Sequence, residues 1–570
     1  MDDSHPSYPL AAVAGVASVV LGAGVGELVA AVIDPTSSPF AAIGSALIDF
    51  APPWAKDVAI SLFGTNDKAA LLTGIAIVVL GLAALAGVLE ARFPPWGRVV
   101  VFVFGLAGVL AALTRADAGL LAWLPSAVAG VLAAWVLGLL VIRLRRIPVA
   151  RPVAPAPSLA EPIEASRVGS TAIPRTPPPD ATPRQARGPE GSARGPEGSA
   201  RGPEGSAPGP RPDDGTSRRT FLLWTGAAAA IGILAGVGGT VLRGGSRSVA
   251  AVRNALKLPA PAKTAAPIPA TADFRIPGLA PVITPNADFY RIDTALIVPQ
   301  VDPATWKLRI HGLVDKEVTL TWDELIALPL QESTTTLTCV SNDVGGNLIS
   351  NAVWLGYPIR DLLSRAGVSS SADMVLSTSI DGFTASTPLE ALTDGRDAIL
   401  AVGMNGEPLP AEHGFPVRMV VPGLYGYVSA TKWVTDLEVT RFADASAYWT
   451  QRGWSERGPI KLESRIDVPR DGASVTAGTV MLAGVAWQQH VGVSGVEVQI
   501  DDGPWQKAEL ATAISDDTWV QWRLPWSAAS GSHTVRCRAT SATGEQQTST
   551  QAPPAPDGAS GWHQIAVSVV

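Results

Sequence analysis

Four long apolar stretches in the first quarter of the 570-residue chain constrain its fold more than any other feature. A helix needs about 20 predominantly apolar residues to cross the hydrocarbon core of a bilayer. The third stretch is short and reaches that length only with Trp96 and a snorkelling Arg98 at its start. The sequence therefore predicts a four-span membrane domain over residues 1–147. The predicted spans are residues 10–32, 69–89, 99–113 and 120–142.

Residues 40–63 are apolar as well, but charged residues and prolines interrupt them, so we expect this segment to lie at the membrane interface or to re-enter the bilayer. The positions of the arginines predict the orientation of the spans. Arg92 and Arg98 lie between the second and third spans, and Arg143, Arg145 and Arg146 follow the fourth. Basic residues concentrate in cytoplasmic loops. We therefore expect a cytoplasmic N-terminus and a return to the cytoplasm after four spans.

A segment rich in proline and glycine follows, over residues 148–216. It contains three copies of the heptad Ala-Arg-Gly-Pro-Glu-Gly-Ser, which begin at Ala186, Ala193 and Ala200. Proline and glycine at this density do not build a packed core. The sequence therefore predicts a disordered tether.

The tether ends at Ser217-Arg218-Arg219-Thr220-Phe221-Leu222, and the chain then stays apolar as far as Leu242. This motif resembles a twin-arginine export signal. A simpler interpretation is that the two arginines only mark the cytoplasmic end of a fifth span. No small-residue cleavage site follows, so we expect residues 217–243 to remain as an anchor. Under both interpretations the protein is a multi-pass cell-membrane protein whose C-terminal half lies on the extracytoplasmic side.

Charge and cysteine usage exclude several functions. The net charge is −7 and no long lysine or arginine tract is present, which argues against a nucleic-acid partner. The chain has two cysteines and six histidines, without a haem-attachment motif and without a histidine in an apolar span. We therefore expect no haem in this chain.

The remaining chain changes character twice. Residues 271–465 mix short alternating strands with short helices, including one that Thr321 and Glu324 would begin as a capping box. This pattern predicts an α+β domain. Residues 466–570 consist almost entirely of strand and turn patterns, which predicts an immunoglobulin-like sandwich. The sequence thus describes a multi-domain protein.

The segment Thr336-Leu-Thr-Cys339-Val-Ser-Asn342 resembles the core cysteine motif of the sulfite-oxidase superfamily of molybdopterin enzymes, T-L-x-C-x-x-N. Further segments resemble that family in the family's own order, and the sandwich resembles its dimerisation domain. Together they extend from about Asp288 to Val570. These segments begin at Phe289, Ala352, Asp381, Asn405, His413, Val420 and Thr431.

The resemblance implies an oxidoreductase that uses a molybdenum–molybdopterin cofactor, with Cys339 as the thiolate ligand of the metal and a catalytic residue. A buried structural cysteine is the alternative for Cys339. Cys537 lies in an alternating strand and is predicted to be a core residue, with no disulfide between the two cysteines.

The resemblance also implies which residues bind the cofactor. The pterin phosphate requires cationic donors and backbone amides. Tyr427 would line the pocket with a catalytic role, or would simply pack. The predicted cofactor-binding residues are Tyr290, Arg291, Asp293, Cys339, Asn342, Asp381, His413, Arg418 and Lys432.

Departures from the family pattern bear on the substrate. Val344 and the region around Gln489 and His490 occupy positions at which sulfite oxidases carry arginines that bind their anionic substrate. Each lost arginine removes about 1.5–3 kcal/mol of anion binding, and two losses correspond to roughly 10²–10⁴ weaker binding. We therefore predict oxygen-atom transfer on a small molecule other than sulfite. His490 would make a polar contact to that substrate or lie at the rim.

Sulfite oxidation is the second hypothesis, and a non-enzymatic surface binding protein on the same fold is the third. The electron partner would be a separate membrane quinone or cytochrome. The resemblance further implies a homodimer through the C-terminal domain.

Overall fold

The computed structural model describes residues 7–33, 37–50, 67–115, 118–147, 217–242 and 245–570. The predicted tether over residues 148–216, with its three heptads, lies outside the described residues. Six helices make up the first part of the described chain. They are α1 Tyr8–Ile33, α2 Pro39–Phe50, α3 Asp67–Arg92, α4 Trp96–Leu113, α5 Leu124–Arg145 and α6 Arg218–Leu242.

Five of these helices, all but α2, are long and apolar enough to cross a membrane by length and composition. This number agrees with the four predicted spans and the fifth that follows the tether. The helix α2 occupies the start of the segment predicted to lie at the interface or re-enter, and residues 51–63 of that segment lie outside the described residues.

Small residues allow α1 to lie at the centre of the bundle, where it packs against α3, α5 and α6. A methyl group on Gly15 would collide with the carbonyl of Ala83, and one on Gly87 would collide with the carbonyl of Ala11. Close backbone approach through small residues is a common way for helices to pack where no hydrophobic effect drives their association. The close contact between α1 and α3 thus requires glycine at these two positions.

The basic residues that predict the cytoplasmic side lie together at one end of the bundle. Arg92 donates a hydrogen bond to the hydroxyl of Tyr8 at 3.1 Å, and Arg98 forms an ion pair of 2.8 Å with the buried carboxylate of Glu90. Arg145 donates to the carbonyl of Ala91 at 2.7 Å. The start of α1, the α3–α4 turn and the end of α5 therefore share one end, as the positive-inside prediction requires.

Beyond α6, helix α7 (Gly245–Ala255) and an extended segment lead into a region with two five-stranded sheets. Their strands are β1 Lys307–Gly312, β2 Val318–Thr321, β3 Gln331–Thr338, β4 Ile349–Pro358, β5 Met374–Ser379, β6 Thr384–Pro388, β7 Ile399–Met404, β8 Glu407–Pro408, β9 Arg418–Val420 and β10 Val434–Thr440. The first sheet has the order β2-β1-β10-β5-β6, and the second has the order β3-β4-β7-β8 with β9 beside β7.

Four short helices lie between these strands: α8 Trp322–Ile326, α9 Ile359–Ala366, α10 Leu389–Thr393 and α11 Gly426–Ser429. The helix α8 begins with the predicted capping box, in which Thr321 and Glu324 satisfy each other's backbone amides. Strands and short helices alternate through this region, as the α+β prediction expects.

The C-terminal region forms a four-stranded sheet, β11-β13-β17-β16, and a five-stranded sheet, β12-β19-β18-β14-β15. Their inward side chains share one apolar core. The first strand, β11, spans the predicted boundary between residues 465 and 466, and the immunoglobulin-like topology stays a prediction. The strands are β11 Glu463–Val468, β12 Ala473–Val475, β13 Gly478–Trp487, β14 Val493–Ile500, β15 Gln506–Lys507, β16 Glu509–Leu510, β17 Val520–Ala528, β18 Gly531–Ser541 and β19 His563–Val569.

The two β-rich regions are joined by a common buried cluster. Trp487 and Trp519 of the C-terminal region pack in the same core as Trp306 and Trp433. Trp519 also donates its backbone amide to the hydroxyl of Thr336 at 2.9 Å. The C-terminal sheets are therefore braced against β3, the strand that leads to Cys339.

A buried carboxyl at the start of β11 predicts a pH dependence of stability. Glu463 is 5% exposed, and its Oε2 atom lacks a hydrogen-bond partner among the described residues. Burial raises the pKa of this carboxyl from 4.5 to about 8, although nearby Lys461 opposes the rise. Between these pH values the folded state holds a proton that the unfolded chain releases, so stability is lost as the pH rises, by at most about 1.4 kcal/mol per pH unit.

We therefore expect Glu463→Gln to stabilise the full chain, with a gain that is small at about pH 5 and largest at about pH 8. Denaturant unfolding of both proteins in detergent across this range measures the gain. If the difference in unfolding free energy between Glu463→Gln and wild type did not change with pH, the assignment of a protonated Glu463 would be wrong.

Candidate active site

The strand β3 delivers Cys339 into a cavity of the protein. All but one of its side chains are buried, and it ends at Thr338, where the chain turns. The turn is closed by hydrogen bonds: the amide of Cys339 donates to the carbonyl of Leu348 at 2.9 Å, and the amide of Leu348 donates to the side-chain oxygen of Asn342 at 2.7 Å. Cys339 is a free thiol, 8% exposed, and lines the cavity. Burial raises the pKa of this thiol. Coordination to a metal ion would lower the pKa again, because a metal-bound thiol loses its proton.

Eight of the ten predicted site residues line this cavity, which we call the cofactor cavity. They come from segments far apart in the chain, because the two sheets of the α+β region converge at this point. The eight are Tyr290, Asp293, Cys339, Asp381, His413, Arg418, Tyr427 and Lys432. Arg291 and Asn342 are not among its lining residues.

Arg418 is the most deeply buried cation of the cavity, at 5% exposed. Its guanidinium donates to the carbonyls of His413, Met419 and Ala430 at 3.2–3.4 Å and lies 5.1 Å above the ring of Trp354. No carboxylate of the described residues pairs with it. Burial lowers its pKa to about 10. A buried charge without a counter-ion is costly, so this arginine is suited to an anionic ligand.

Lys432 lies beside Arg418 but has a partner within the protein. Its Nζ atom is 2.9 Å from the Oδ2 atom of Asp293 and donates to the carbonyl of Glu412 at 3.1 Å. Burial lowers the pKa of Lys432 to about 8, and Asp293 opposes the decrease. Arg291 forms a second ion pair with Asp293, at 2.9 Å. Arg291 therefore shares with Lys432 the single carboxylate of Asp293, which it helps to orient.

His413 is neutral in this environment. Burial, and then the charges of Arg418 and Lys432, lower its pKa to about 3. Its Nε2 atom lies 3.3 Å from the carbonyl of Asn286, so the neutral ring donates its proton there. The ring of Phe289 packs against it with centroids 5.4 Å apart. The Nδ1 atom is then available as an acceptor.

Tyr427 presents its ring to the cavity, because its hydroxyl donates a hydrogen bond of 2.7 Å to the carbonyl of Ser455. Burial raises the pKa of this hydroxyl. The proton is thus engaged away from the cavity, and the catalytic role predicted for Tyr427 stays a prediction. Tyr290 is a second phenol of the lining; burial and the neighbouring Cys339 raise its pKa. The carboxylate of Asp381 accepts from the amide of Phe383 at 3.3 Å.

Sequence reasoning missed an aromatic wall of the cavity. Trp449 and Trp454 line it together with Phe383. The two indole rings lie 6.1 Å apart, and Trp454 lies 6.0 Å from the ring of Tyr427. These tryptophans follow β10 in a segment without regular strands, and their only signal in the sequence is an unusual density of aromatic residues.

The C-terminal region packs against the loop from Cys339 to Leu348. Gln489 donates to the hydroxyl of Thr338 at 2.8 Å, and Arg465 donates to the carbonyl of Gly346 at 2.8 Å. The ring of His563 lies so close to Gly345, which has φ 78°, that a side chain there would collide with it. Val344, Gln489 and His490 do not line the cofactor cavity, and His490 instead pairs with Asp517 at 3.0 Å.

The lining fits an anionic group that binds a metal through a thiolate. It offers the free thiol of Cys339 and the guanidinium of Arg418, which no carboxylate of the described chain neutralises. The buried hydroxyl of Ser379, also in the lining, has no hydrogen-bond partner among the described residues. Buried polar groups are normally satisfied, so a ligand is expected here. These donors match the dithiolene-bound metal and phosphate of a molybdopterin.

Comparisons with known proteins agree with this donor set. Residues 295–449 match the family described as "Oxidoreductase molybdopterin binding domain". Mitochondrial sulfite oxidase of Mus musculus is 33% identical over 271 residues, 40% of this chain and 49% of that protein. The uncharacterized oxidoreductase YuiH of Bacillus subtilis is 35% identical over 157 residues, 28% of this chain and 76% of that protein.

Among solved structures, the sulfane dehydrogenase SoxCD from Paracoccus pantotrophus is similar with a TM-score of 0.43 at 24% identity, over 47% of this chain and 75% of that chain. The chain spans about half the length of the mammalian sulfite oxidases that it matches, and about three quarters of the bacterial oxidoreductase.

Proposed function

The chain belongs to the sulfite-oxidase superfamily of molybdopterin-dependent oxidoreductases, and we propose that it is a membrane-anchored enzyme that transfers oxygen atoms on a neutral organic substrate, such as an S- or N-oxide. Its cofactor is molybdenum–molybdopterin, as the sequence predicts. The oxidoreductase assignment argues against the hypothesis of a non-enzymatic surface protein on the same fold.

The cofactor supplies two-electron oxygen-atom transfer when it is bound. Cys339 would hold the metal through its thiolate. Arg418 would bind the phosphate of the pterin, with Lys432 beside it and the Nδ1 atom of His413 as an acceptor for the pterin. The loop from Cys339 to Leu348 fixes the position of the thiol, because its ends are joined by hydrogen bonds and the C-terminal sheets pack against it.

The single observation that carries the substrate proposal is the composition of the cofactor cavity. Of the described residues that line it, only Arg418 and Lys432 carry a positive charge at neutral pH, and Asp293 neutralises Lys432. A cofactor phosphate would use Arg418. The described lining then offers a small dianion no cation besides Lys432, which already pairs with Asp293, whereas Trp449, Trp454 and Phe383 offer aromatic surface to a neutral sulfur compound.

We expect turnover of methyl phenyl sulfoxide with reduced viologen to have a kcat/KM at least about 100-fold above that of sulfite with ferricyanide. Trp454→Ala should lower kcat/KM for the sulfoxide by about tenfold, since a stacked aromatic contact contributes up to about 1.5 kcal/mol. Trp505→Ala, which removes an indole of the C-terminal sheets outside the cofactor cavity, is the control and should leave kcat/KM unchanged.

Sulfite oxidation is the second candidate, because the mouse enzyme of that name is 33% identical over the matched region. A higher kcat/KM for sulfite than for the sulfoxide would overturn the proposal of a neutral substrate and favour this candidate.

The membrane arrangement belongs to the same proposal. Five apolar helices would anchor the enzyme in the cell membrane, with the β-rich regions on the extracytoplasmic side. Arg92, Arg98 and Arg145 lie at the same end of the helical bundle as the N-terminus of α1, which supports a cytoplasmic N-terminus. Arg143 also stacks on Trp224 at 4.5 Å, which puts the start of α6, and the predicted twin-arginine motif, at that same end. The homodimer through the C-terminal sheets stays a prediction.

A further inference from the structure

A second cavity, of about 370 Å³, lies where the helical bundle meets the β-rich region. The helix α2 contributes Ala41 and Ser45 to its wall, and the two residues that follow α4, Thr114 and Arg115, contribute as well. The opposite wall comes from three segments of the α+β region. These are residues 294–299, 381–384 and 448–452. We call this space the junction cavity.

The junction cavity adjoins the cofactor cavity. Thr294, Asp381 and Phe383 line both of them. A molecule in the junction cavity would therefore lie next to the cofactor, with no other domain between them. It would also lie at the end of α4 that is opposite to the arginine-rich end, where the bundle would meet the extracytoplasmic face of the membrane.

The lining of the junction cavity combines hydrogen-bond donors with aromatic rings. Arg115 donates to the hydroxyl of Ser45 at 2.8 Å and so joins α4 to α2. Across the cavity, Arg452 donates to the carbonyl of Tyr448 at 2.8 Å and stacks on its ring at 3.5 Å. The rings of Phe383 and Tyr448 lie 5.8 Å apart. Pockets of this kind occur preferentially at domain interfaces.

We propose that the junction cavity binds the headgroup of a membrane quinone, which exchanges electrons with the cofactor; this inference rests on the proposed function. The two carbonyl oxygens of a quinone accept hydrogen bonds from guanidinium or hydroxyl donors, and its flat ring packs on aromatic side chains. The apolar tail would follow Leu110 and Leu113 on α4, which are 57% and 50% exposed. A protein carrier docks over a surface of roughly 1,000 Å² or more, whereas a cavity of about 370 Å³ has the size of a small-molecule site.

The electrons and protons balance with this partner. A quinol that becomes a quinone releases two electrons and two protons. Reduction of a sulfoxide to a sulfide consumes two electrons and two protons, and the oxygen atom leaves as water. In the oxidative direction, water supplies the oxygen atom to the substrate, and the quinone takes up the two electrons and two protons. Neither direction needs another carrier.

The test uses the full chain with its cofactor in lipid nanodiscs. Turnover is measured with decylubiquinol and, separately, with reduced viologen, a small dye that does not need a quinone site. Thr114→Trp fills the junction cavity from the membrane side, and Arg452→Gln removes a donor from the opposite wall. We expect both substitutions to lower the ratio of quinol-linked to dye-linked turnover at least about tenfold.

Matched controls are Leu121→Trp, at an exposed position near the same end of the bundle, and Arg457→Gln, an exposed arginine paired with Glu390. Neither residue lines the junction cavity, and both controls should leave the ratio unchanged. A wild-type protein with dye-linked but no quinol-linked turnover would overturn the quinone proposal alone. If the wild-type protein showed no dye-linked turnover at all, the proposed function itself would be overturned.

Binding is tested without turnover by photolabelling with an azido-substituted decyl benzoquinone, in wild type and in Cys339→Ser. We expect label on peptides that contain residues 448–452 in both proteins, and a loss of that label in Thr114→Trp but not in Leu121→Trp. Label that is confined to other segments, or that Thr114→Trp does not reduce, would contradict the proposal. Phospholipid retained in the cavity in place of the quinone would give this contradicting result.

Discussion

Replacement of Cys339 by serine should abolish most of the oxidoreductase activity while the fold remains intact. The thiol is the protein's ligand to the metal in the proposed site, and even residues that only orient a metal ligand typically contribute 10–100-fold, so we expect kcat to fall by more than about 100-fold. The serine hydroxyl is close in size to the thiol and should cost at most about 1–3 kcal/mol of stability where it is buried. Steady-state turnover and denaturant unfolding of the full chain measure the two effects.

The chain provides a matched control in Cys537. It is also a free, buried cysteine, but it lies in β18, where Ser464 donates to its sulfur at 3.3 Å, in the core of the C-terminal sheets. Cys537→Ala should reduce stability slightly and leave turnover unchanged. Equal effects of the two substitutions on kcat would show that Cys339 is only a structural cysteine.

Replacement of Arg418 should have the second-largest effect, on cofactor retention. This guanidinium is held by three backbone carbonyls and has no carboxylate partner in the described chain, so an anionic cofactor would be its counter-ion. Loss of a charge-assisted hydrogen bond costs about 1.5–3 kcal/mol, so Arg418→Gln should weaken cofactor binding by about 10–150-fold. The cofactor that the purified variant retains is measured by releasing its pterin and recording the pterin fluorescence.

Arg309→Gln is the control for that experiment. Arg309 lies on β1 with its side chain half exposed and paired with Glu317 at 2.6 Å, away from the cofactor cavity. Exposed ion pairs contribute little, so this variant should retain cofactor and stability. If Arg418→Gln retained pterin as fully as Arg309→Gln, the assignment of Arg418 to the cofactor phosphate would be wrong.

Local pattern was enough to predict much of this architecture. The five apolar helices follow from composition over about 20 residues each, and the cap of α8 follows from the spacing of Thr321 and Glu324. The cofactor, and Cys339 as its candidate ligand, follow instead from the resemblance of several segments between about Asp288 and Val570 to the sulfite-oxidase superfamily. The helices and the cap need no knowledge of distant contacts, since each is encoded in neighbouring residues.

The roles of individual motif residues could not be predicted in the same way. Asn342 belongs to the cysteine motif, but its side chain closes the loop by accepting from Leu348, away from the cavity lining. Arg291 faces Asp293, which in turn neutralises Lys432, a relation across 139 residues of chain. Side-chain direction at these positions depends on how the two sheets meet, which no local pattern encodes.

The aromatic wall and the junction cavity illustrate the same limit. Trp449 and Trp454 lie in an irregular segment after β10 and become part of the site only because this segment lines the same cavity as Cys339. The junction cavity is lined by residues as distant in the chain as Ser45 and Arg452. Tertiary packing alone brings such residues to one cavity.

The central claim is that the sulfur of Cys339 coordinates molybdenum in the cofactor cavity. X-ray absorption at the molybdenum edge, on the full chain purified from a host that makes molybdopterin, tests it most directly. We predict molybdenum in equimolar amount to the chain, and one sulfur ligand fewer in Cys339→Ser than in the wild type. Wild-type protein without molybdenum, or a sulfur shell that Cys339→Ser leaves unchanged, would contradict the claim.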